Sequence, residues 1–251
     1  MELTLYGVSL WGGALLFVRI GTLVMLLPGL GEAAVPPRAR LGLAILMTGL
    51  LAPGLANSVP PPPADPFAMS GVVISEAFIG LMFGAGARLL MTSLATAGQI
   101  MGLETGLSFA QTADPTQSGS GQLFGVFLGV FGTALVFATE LHHAFIRGIV
   151  GTYHILAPGA AASPGDAAQL SVEVVSTSFR VGLQIAAPLL VGGLIFRVGL
   201  GVLARLIPTI QVFFVVLPLQ ILGGFFLIAL GLSAGMIVWL DSLSHYASSM
   251  R

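Results

Sequence analysis

The chain alternates between long apolar stretches and short polar connectors along most of its length. Most of the apolar stretches have at least the roughly 20 mostly apolar residues that a helix needs to cross the hydrocarbon of a bilayer. The pattern gives six of them, at about 8–30, 40–57, 68–101, 123–150, 172–200 and 207–240. Apolar runs of this length are typical of membrane helices, whose backbone groups are all satisfied within one segment. The pattern therefore predicts an all-α, polytopic integral membrane protein.

One connector differs from its surroundings. The stretch GLETGLSFAQTADPTQSGSGQ, residues 102–122, separates two apolar segments, and its second half consists almost entirely of small and polar residues. Such a composition cannot form a core and favours turns. Two interpretations are open at this point: a solvent-exposed connector between two helices, or a mobile plug in an aqueous conduit.

The overall composition supports a membrane location. Hydrophobic residues make up 56% and charged residues 8% of the chain, against about 25% charged residues in an ordinary soluble domain. Nine arginines nearly balance ten acids, so no nucleic-acid partner is expected. The absence of cysteine excludes thiolate metal sites and thiol nucleophiles. The N-terminus lacks the basic region of a cleavable signal peptide, and we expect it to be retained.

Charged residues interrupt the apolar stretches. They are Arg19, Glu76, Arg88, Glu140 and Arg180. Each would cost about 2.5 to 3.5 kcal/mol at the centre of a bilayer on insertion scales. The nearest opposite pair on one helix, Glu76 and Arg88, is separated by about 18 Å along the axis and cannot neutralise itself. We expect the partners of these charges in other helices, in other chains or in water.

Prolines and glycines also mark the apolar stretches. Pro28, Pro53, Pro188 and Pro218 lie inside or at the ends of predicted helices, and we expect the last stretch to split at Pro218. Glycines recur at four-residue spacing, which lets helix backbones approach closely. These positions are Gly80 and Gly84, Gly98, Gly102 and Gly106, Gly125 and Gly129, and Gly231 and Gly235. Together with the charges, they favour a chain packed into an assembly.

Motifs for catalysis are weak. Glu140 and His143 have the E-x-x-H spacing of di-metal carboxylate proteins, and His142 and His154 lie nearby, but the further carboxylates of such a site have no obvious position. A metalloenzyme on Glu140 and His143 remains a rival hypothesis. No nucleophile elbow or phosphate loop is present, so we expect neither an enzyme nor a cofactor.

Three ordered blocks carry a family resemblance. QIMGLETGLSFAQTADP, residues 99–115, resembles a Gly-Leu-x-x-Gly-Leu-Ser-Phe run followed by Asp-Pro and a loop rich in Gly, Ser and Gln, as found in the FliR family of the flagellar type III export gate. Residues 17–53 are similar to the N-terminal block of that family, and residues 186–228 to its C-terminal block. The shared N-terminal positions are Arg19, Pro28, Val35, Pro36, Arg38 and Pro53. Two positions depart from the pattern: Gln211 stands where Asn is common, and Gln220 where Lys is common.

The resemblance implies a function and its partners. It implies a bacterial inner-membrane subunit of the flagellar basal body that joins FliP-like and FliQ-like subunits, with FlhB-like and FlhA-like export components. That assembly surrounds the path of unfolded export substrates across the membrane. It also implies Pro-broken helices and hairpins packed in a hetero-oligomer, with a FliP-like part at about 1–150 and a FliQ-like part at about 151–251. The alternatives are an injectisome homologue of the same gate, and a secondary transporter or channel.

Two sets of site residues follow from the resemblance. Arg19, Glu76, Arg88 and Arg180 are expected to be buried charges between subunits. Residues 106–122 are expected to form a plug that faces the lumen. In that plug the glycines would supply hinges, Asp114 and Pro115 a turn, and Phe109 an apolar anchor. The hinge glycines are Gly106, Gly119 and Gly121.

Overall fold

A computed structural model of the chain describes residues 4–5, 8–32, 34–107, 123–206 and 212–250. Within these ranges the structure is built from helices. Its seven α-helices are α1 (Leu10–Leu26), α2 (Pro37–Leu55), α3 (Pro66–Glu104), α4 (Leu123–Ala138), α5 (Leu141–Ile155), α6 (Pro164–Leu206) and α7 (Val212–Ser249). A 3₁₀ turn at Ala56–Ser58 follows α2, and two strands of two residues each, Thr4–Leu5 and Val8–Ser9, pair antiparallel before α1. The predicted all-α class is confirmed.

Four of the described helices are long and apolar enough to cross a membrane: α3, α6, α7, and α2 with its 3₁₀ turn. The pair α4 and α5 passes the same test together, which brings the number of spans to five if the pair forms one bent span. Helix α1 is apolar but has only 17 residues. Each of the six predicted stretches therefore contains a helix among its described residues, and the predicted count of six is approximate.

Polar residues at the connectors start several helices. The Ser9 hydroxyl accepts a hydrogen bond from the Gly12 amide at 3.1 Å and caps α1. Asp65, directly before Pro66, accepts hydrogen bonds from the amides of Phe67 and Ala68. Proline suits the first helical position because its missing N–H has no partner there in any case. The proline-rich residues 59–66 thus separate the 3₁₀ turn from α3, and Pro66 is the first residue of α3.

The last helix is not split at Pro218. Helix α7 runs from Val212 to Ser249 with Pro218 inside it, so the expectation of a break at this residue is wrong. Pro218 lies only six residues into the helix, and the missing N–H removes one hydrogen bond, at a cost of about 3 kcal/mol. The remaining turns of a helix of 38 residues keep their own bonds. Pro188 also lies inside a helix, near the middle of α6.

A break occurs instead where the sequence shows neither Pro nor Gly. Helices α4 and α5 meet at an angle of 76°. Glu140 lies at the break, with a φ of 58°, in the left-handed region that a residue with a side chain seldom occupies. The predicted single segment at 123–150 is therefore two helices.

The chain forms two compact units. The first comprises residues 1–90, 133–175 and 243–251, and the second comprises residues 91–132 and 176–242. Neither unit corresponds to residues 1–150 or 151–251. The division into a FliP-like and a FliQ-like part rests on likeness to other proteins and stays a prediction.

Each unit has its own apolar core. In the first unit, α1 buries one stripe at helical spacing, and its members include Leu16, Ile20, Leu23 and Val24. In the same unit the Tyr246 hydroxyl at the end of α7 donates a hydrogen bond to the Phe83 carbonyl at 2.8 Å. The core of the second unit includes Leu94, Ala97, Met101, Leu128, Ile185, Leu189, Met236 and Trp239.

Several predicted glycine faces are contacts between helices of this chain. A methyl group at Gly84 would meet the Leu26 side chain at 2.9 Å, so α3 packs closely on α1 there. At Gly231 and Gly235 it would meet Pro188 at 2.9 Å and Ile185 at 3.3 Å. At Gly129 it would meet no atom within 4 Å. Four-residue spacing alone therefore did not distinguish close packing from open surface.

Candidate functional site

A fully buried ion pair lies in the first unit. The Arg19 guanidinium on α1 contacts the Glu76 carboxylate on α3 through two hydrogen bonds, from Nε to Oε2 at 2.7 Å and from Nη2 to Oε1 at 3.0 Å. Both side chains are 0% exposed. This two-point geometry matches the planar fork of arginine to the two oxygens of a carboxylate. Neither charge faces lipid.

Main-chain groups satisfy the rest of this pair. The remaining Arg19 nitrogen, Nη1, donates to the carbonyls of Thr152 at 3.1 Å and Leu156 at 2.7 Å. The Gly159 amide donates to Glu76 Oε1 at 2.6 Å. Because the carbonyls at the C-terminal end of a helix carry partial negative charge, a guanidinium is stabilised there. The pair thus joins α1, α3, the end of α5 and the connector after it.

An aromatic ring covers the guanidinium. Tyr153 on α5 places its ring 4.3 Å from Arg19 Cζ, at cation–π distance, and its hydroxyl donates to the Leu16 carbonyl at 3.1 Å. The family resemblance predicts that Arg19 and Glu76 lie between subunits. The structure instead pairs them with each other inside one chain, where burial leaves them no surface for another subunit.

Arg88 also has its partner within the first unit. Its Nη1 lies 2.7 Å from Glu32 Oε1, and both side chains are partly exposed. Glu32 follows α1 in the connector to α2, so sequence spacing gave no signal that the two residues meet. A contact of this exposed pair with another subunit stays a prediction.

The second unit contains an ion pair where α3 ends and the stretch 108–122 begins. Glu104, the last residue of α3, accepts a hydrogen bond from Arg197 Nη2 on α6 at 2.8 Å. Its carboxylate is largely buried, whereas Arg197 is more than half exposed. Gly193, one turn before Arg197, lies against Glu104, and any side chain at this position would collide with the carboxylate. The carboxylate therefore packs directly on the backbone of α6.

Helix α7 contributes to the same place. Gln220 Nε2 donates to the Glu104 main-chain carbonyl at 2.7 Å and so caps the C-terminal end of α3. Gly106 follows with a φ of 78°, a conformation that favours glycine and is common directly after the end of a helix. Glu104, Arg197, Gln220 and Gly106 are called the loop base below.

The loop base borders a mostly apolar cavity of about 190 Å³. Glu104 and Gln220 are its polar members, and the remainder of the lining comes from α6 and α7, including Leu189, Phe196 and Leu227. The end of α3 and one face each of α6 and α7 thus meet at Glu104, shortly before the polar stretch begins. The other predicted plug residues, Phe109, Asp114, Pro115, Gly119 and Gly121, lie outside the described residues, as does Gln211.

The position of Gln220 explains how one departure from the family pattern is accommodated. A lysine ammonium and a glutamine amide are both hydrogen-bond donors. Gln220 therefore keeps a donor on the main-chain carbonyl of Glu104. The positive charge beside the Glu104 carboxylate comes from Arg197.

The remaining predicted charged residues are exposed. Arg180 on α6 is exposed. Glu140 and His143 lie 3.9 Å apart, and both are largely exposed. Within the part of the chain that the structure describes, no three His, Asp or Glu residues come together in a group that could hold a metal ion. Sequence reasoning missed Glu32, Glu104 and Arg197 as partners, although Glu104 lies within the quoted loop motif.

Comparison with known proteins shows the family of this chain. Residues 10–246 match the family described as bacterial export proteins, family 1. The flagellar biosynthetic protein FliR of Caulobacter vibrioides is 46% identical over 91% of this chain and 91% of its own length. FliR of Escherichia coli is 30% identical over 84% of this chain and 80% of its own, and FliR of Bacillus subtilis is 26% identical over 94% and 92%. The family match spans nearly the whole chain. The buried Arg19 and the loop base lie in blocks that resemble the same family. This chain therefore belongs to the FliR family, family 1 of the bacterial export proteins.

Proposed function

We propose that this chain is a subunit of the flagellar type III protein export gate in the bacterial inner membrane. The observation that carries this proposal is similarity over nearly the full length to proteins named flagellar biosynthetic protein FliR. The names of these relatives favour a flagellar machine over an injectisome. The proposal includes FliP-like and FliQ-like subunits as partners, with FlhB-like and FlhA-like export components, around a conduit for unfolded proteins.

The fold suits such a role. A membrane subunit that packs in an assembly needs apolar helices whose internal charges are neutralised, and Arg19, Arg88 and Arg197 each have a carboxylate partner. Its outer faces must be apolar in order to meet lipid or other subunits. Large apolar side chains are exposed along α6 and α7, for example Leu194, Ile195, Leu222 and Phe226. Such exposure would be unfavourable in water.

Deletion of the gene tests this function. We expect cells without the chain to lack flagellar filaments and swimming motility, because no substrate would pass the gate, while growth rate is unchanged. Electron microscopy and soft-agar swimming measure the effect. A tagged copy should restore motility and co-purify with FliP-like and FliQ-like subunits. Flagellated, motile deletion cells would contradict the proposal.

The stretch 106–122 is proposed as the plug of the conduit. A conduit for unfolded proteins must be sealed at rest and yet admit many sequences, which favours an element held by many weak contacts. The loop base supports this assignment, because Glu104 is held by Arg197 and Gln220 directly before the stretch begins. A movable plug requires a fixed attachment point. Beyond that point it requires a segment of small and polar residues that can change conformation.

Ion leakage tests the plug. Deletion of Ser118–Gly121, or Phe109→Ala, is expected to raise ion leakage through the assembled gate at least several-fold, because either change removes contacts that close the conduit at rest. Arg197→Ala should raise leakage less, since Gln220 still holds the base. The matched control is Arg147→Ala, an exposed arginine of α5 in the first unit. Leakage equal to that of the unaltered gate in the deletion variant would contradict the plug.

A further inference from the structure

Helix α6 exposes a short polar face in the second unit. Ser176, Arg180 and Gln184 follow one another at four-residue intervals, and all three side chains are exposed. On a helix, residues four apart lie above one another on one face. The three side chains therefore form a polar strip about 12 Å long.

Large apolar residues border the strip on one side. Phe179 is 59% exposed and Leu183 38% exposed, and each directly precedes a member of the strip. Both belong to the segment of α6 that is long and apolar enough to span a membrane. A polar strip one residue wide in such a segment is unsuited to lipid, because its hydrogen-bonding groups and its charge would have no partners.

Arg180 differs from Arg19, Arg88 and Arg197, which also lie in apolar helices of this chain. Arg19, Arg88 and Arg197 each contact a carboxylate at 2.7 to 2.8 Å. Among the residues that the structure describes, Arg180 makes no ion pair and no side-chain hydrogen bond. The Glu104 carboxylate in the same unit is taken by Arg197. The chain thus provides an acid for three arginines of its apolar helices and leaves the Arg180 guanidinium facing outward.

We propose that Ser176, Arg180 and Gln184 bind a membrane helix of another subunit, and that this helix presents a carboxylate to Arg180. This inference rests on the proposed export-gate function. Arginine and a carboxylate form two parallel hydrogen bonds, and Ser and Gln side chains hydrogen-bond across packed membrane helices. Phe179 and Leu183 supply the apolar border of the same contact.

A subunit helix fits this face better than a water-filled conduit. A surface that lines a wide aqueous path would be polar on both sides of Arg180, whereas Phe179 and Leu183 border the strip on one side with large exposed apolar groups. Polar side chains beside exposed apolar ones suit a contact between membrane helices, where Ser and Gln side chains hydrogen-bond across the packed helices.

Charge reversal at Arg180 tests the inference in the complete assembly. Arg180→Glu should lower the recovery of partner subunits with the tagged chain by more than about tenfold, because it places two carboxylates together without water. Arg180→Lys should retain most of the recovery. The matched control is Arg147→Glu on α5, which should assemble normally. A carboxylate-to-Arg change in an apolar helix of the partner should restore the Arg180→Glu complex.

Cross-linking tests the same face in a chain that keeps Arg180. A photoreactive benzoylphenylalanine at Gln184 should form an adduct with a partner subunit, and the same group at the buried Leu189 should not. The chain has no native cysteine, so Gln184→Cys also reports water at this site without further changes. Reaction of this thiol with a membrane-impermeant maleimide in the assembled gate would overturn the inference in favour of an aqueous face. Adducts with lipid alone would overturn it as well.

The outcomes separate this inference from the proposed function. If the unaltered chain recovers FliP-like and FliQ-like subunits but position 184 gives no adduct with them, the inference fails and the function stands. If the unaltered chain recovers no export subunit, the proposed function itself fails.

Discussion

Arg19→Ala is expected to destabilise the chain by about 3 to 5 kcal/mol, the cost of removing one member of a buried ion pair. The Glu76 carboxylate is 0% exposed, and without the guanidinium its one remaining partner among the described residues would be the Gly159 amide. The carbonyls of Thr152 and Leu156 would lose the donor that holds them to α1. The midpoint of denaturant unfolding of the purified full-length chain in detergent measures this change.

Two further variants show that burial, rather than charge alone, causes this loss. Arg88→Ala removes an arginine whose partner, Glu32, is partly exposed, and it should cost no more than about 1 kcal/mol. The double variant Arg19→Met with Glu76→Leu should be more stable than Arg19→Ala, because it leaves no buried charge. Equal losses for Arg19→Ala and Arg88→Ala would contradict the role assigned to the buried pair.

Gly98→Ala is expected to have the second largest effect. A methyl group on Gly98 of α3 would overlap the main chain of Gly125 and Phe124 on α4, all within the second unit. Main chain cannot rotate away as a side-chain tip can, so the two helices would have to separate. Overpacking of this kind costs about 1 to 3 kcal/mol and at times more. The same unfolding midpoint reports the loss.

Gly129→Ala is the matched control on α4. The added methyl group would meet no atom within 4 Å. Because alanine favours a helix over glycine by about 0.5 to 1 kcal/mol, this variant should be neutral or slightly more stable. The two substitutions are chemically identical and are expected to change stability in opposite directions. A loss of similar size in both would show that helix propensity, and not the contact between α3 and α4, governs these positions.

The sequence predicted much of the fold because its strongest signal is local. Apolar runs of spanning length predict helices without reference to any other part of the chain. The predicted segments 8–30, 40–57, 68–101, 172–200 and 207–240 each correspond to one helix. The split expected at Pro218 is wrong because a proline inside a long helix removes a single hydrogen bond, and composition does not reveal how many bonds remain.

The break at Glu140 has no local signal in the sequence. Residues 135–145 contain neither proline nor glycine, and the left-handed conformation of Glu140 is a strained exception for a residue with a side chain. Tertiary packing on both sides of the turn must maintain it. No local pattern could have predicted the angle of 76° between α4 and α5.

By itself, the sequence determined that this is an all-α membrane protein of the FliR family, because hydropathy and ordered motifs are properties of the chain read in one dimension. It also showed that charges lie in apolar segments and need partners. Only the tertiary structure decided which partners: Glu76 for Arg19, Glu32 for Arg88 and Glu104 for Arg197. Ion pairs form over a few ångströms between residues that are distant in sequence, so their choice depends on how helices pack. The same packing buried Glu76 and left Arg180 facing outward.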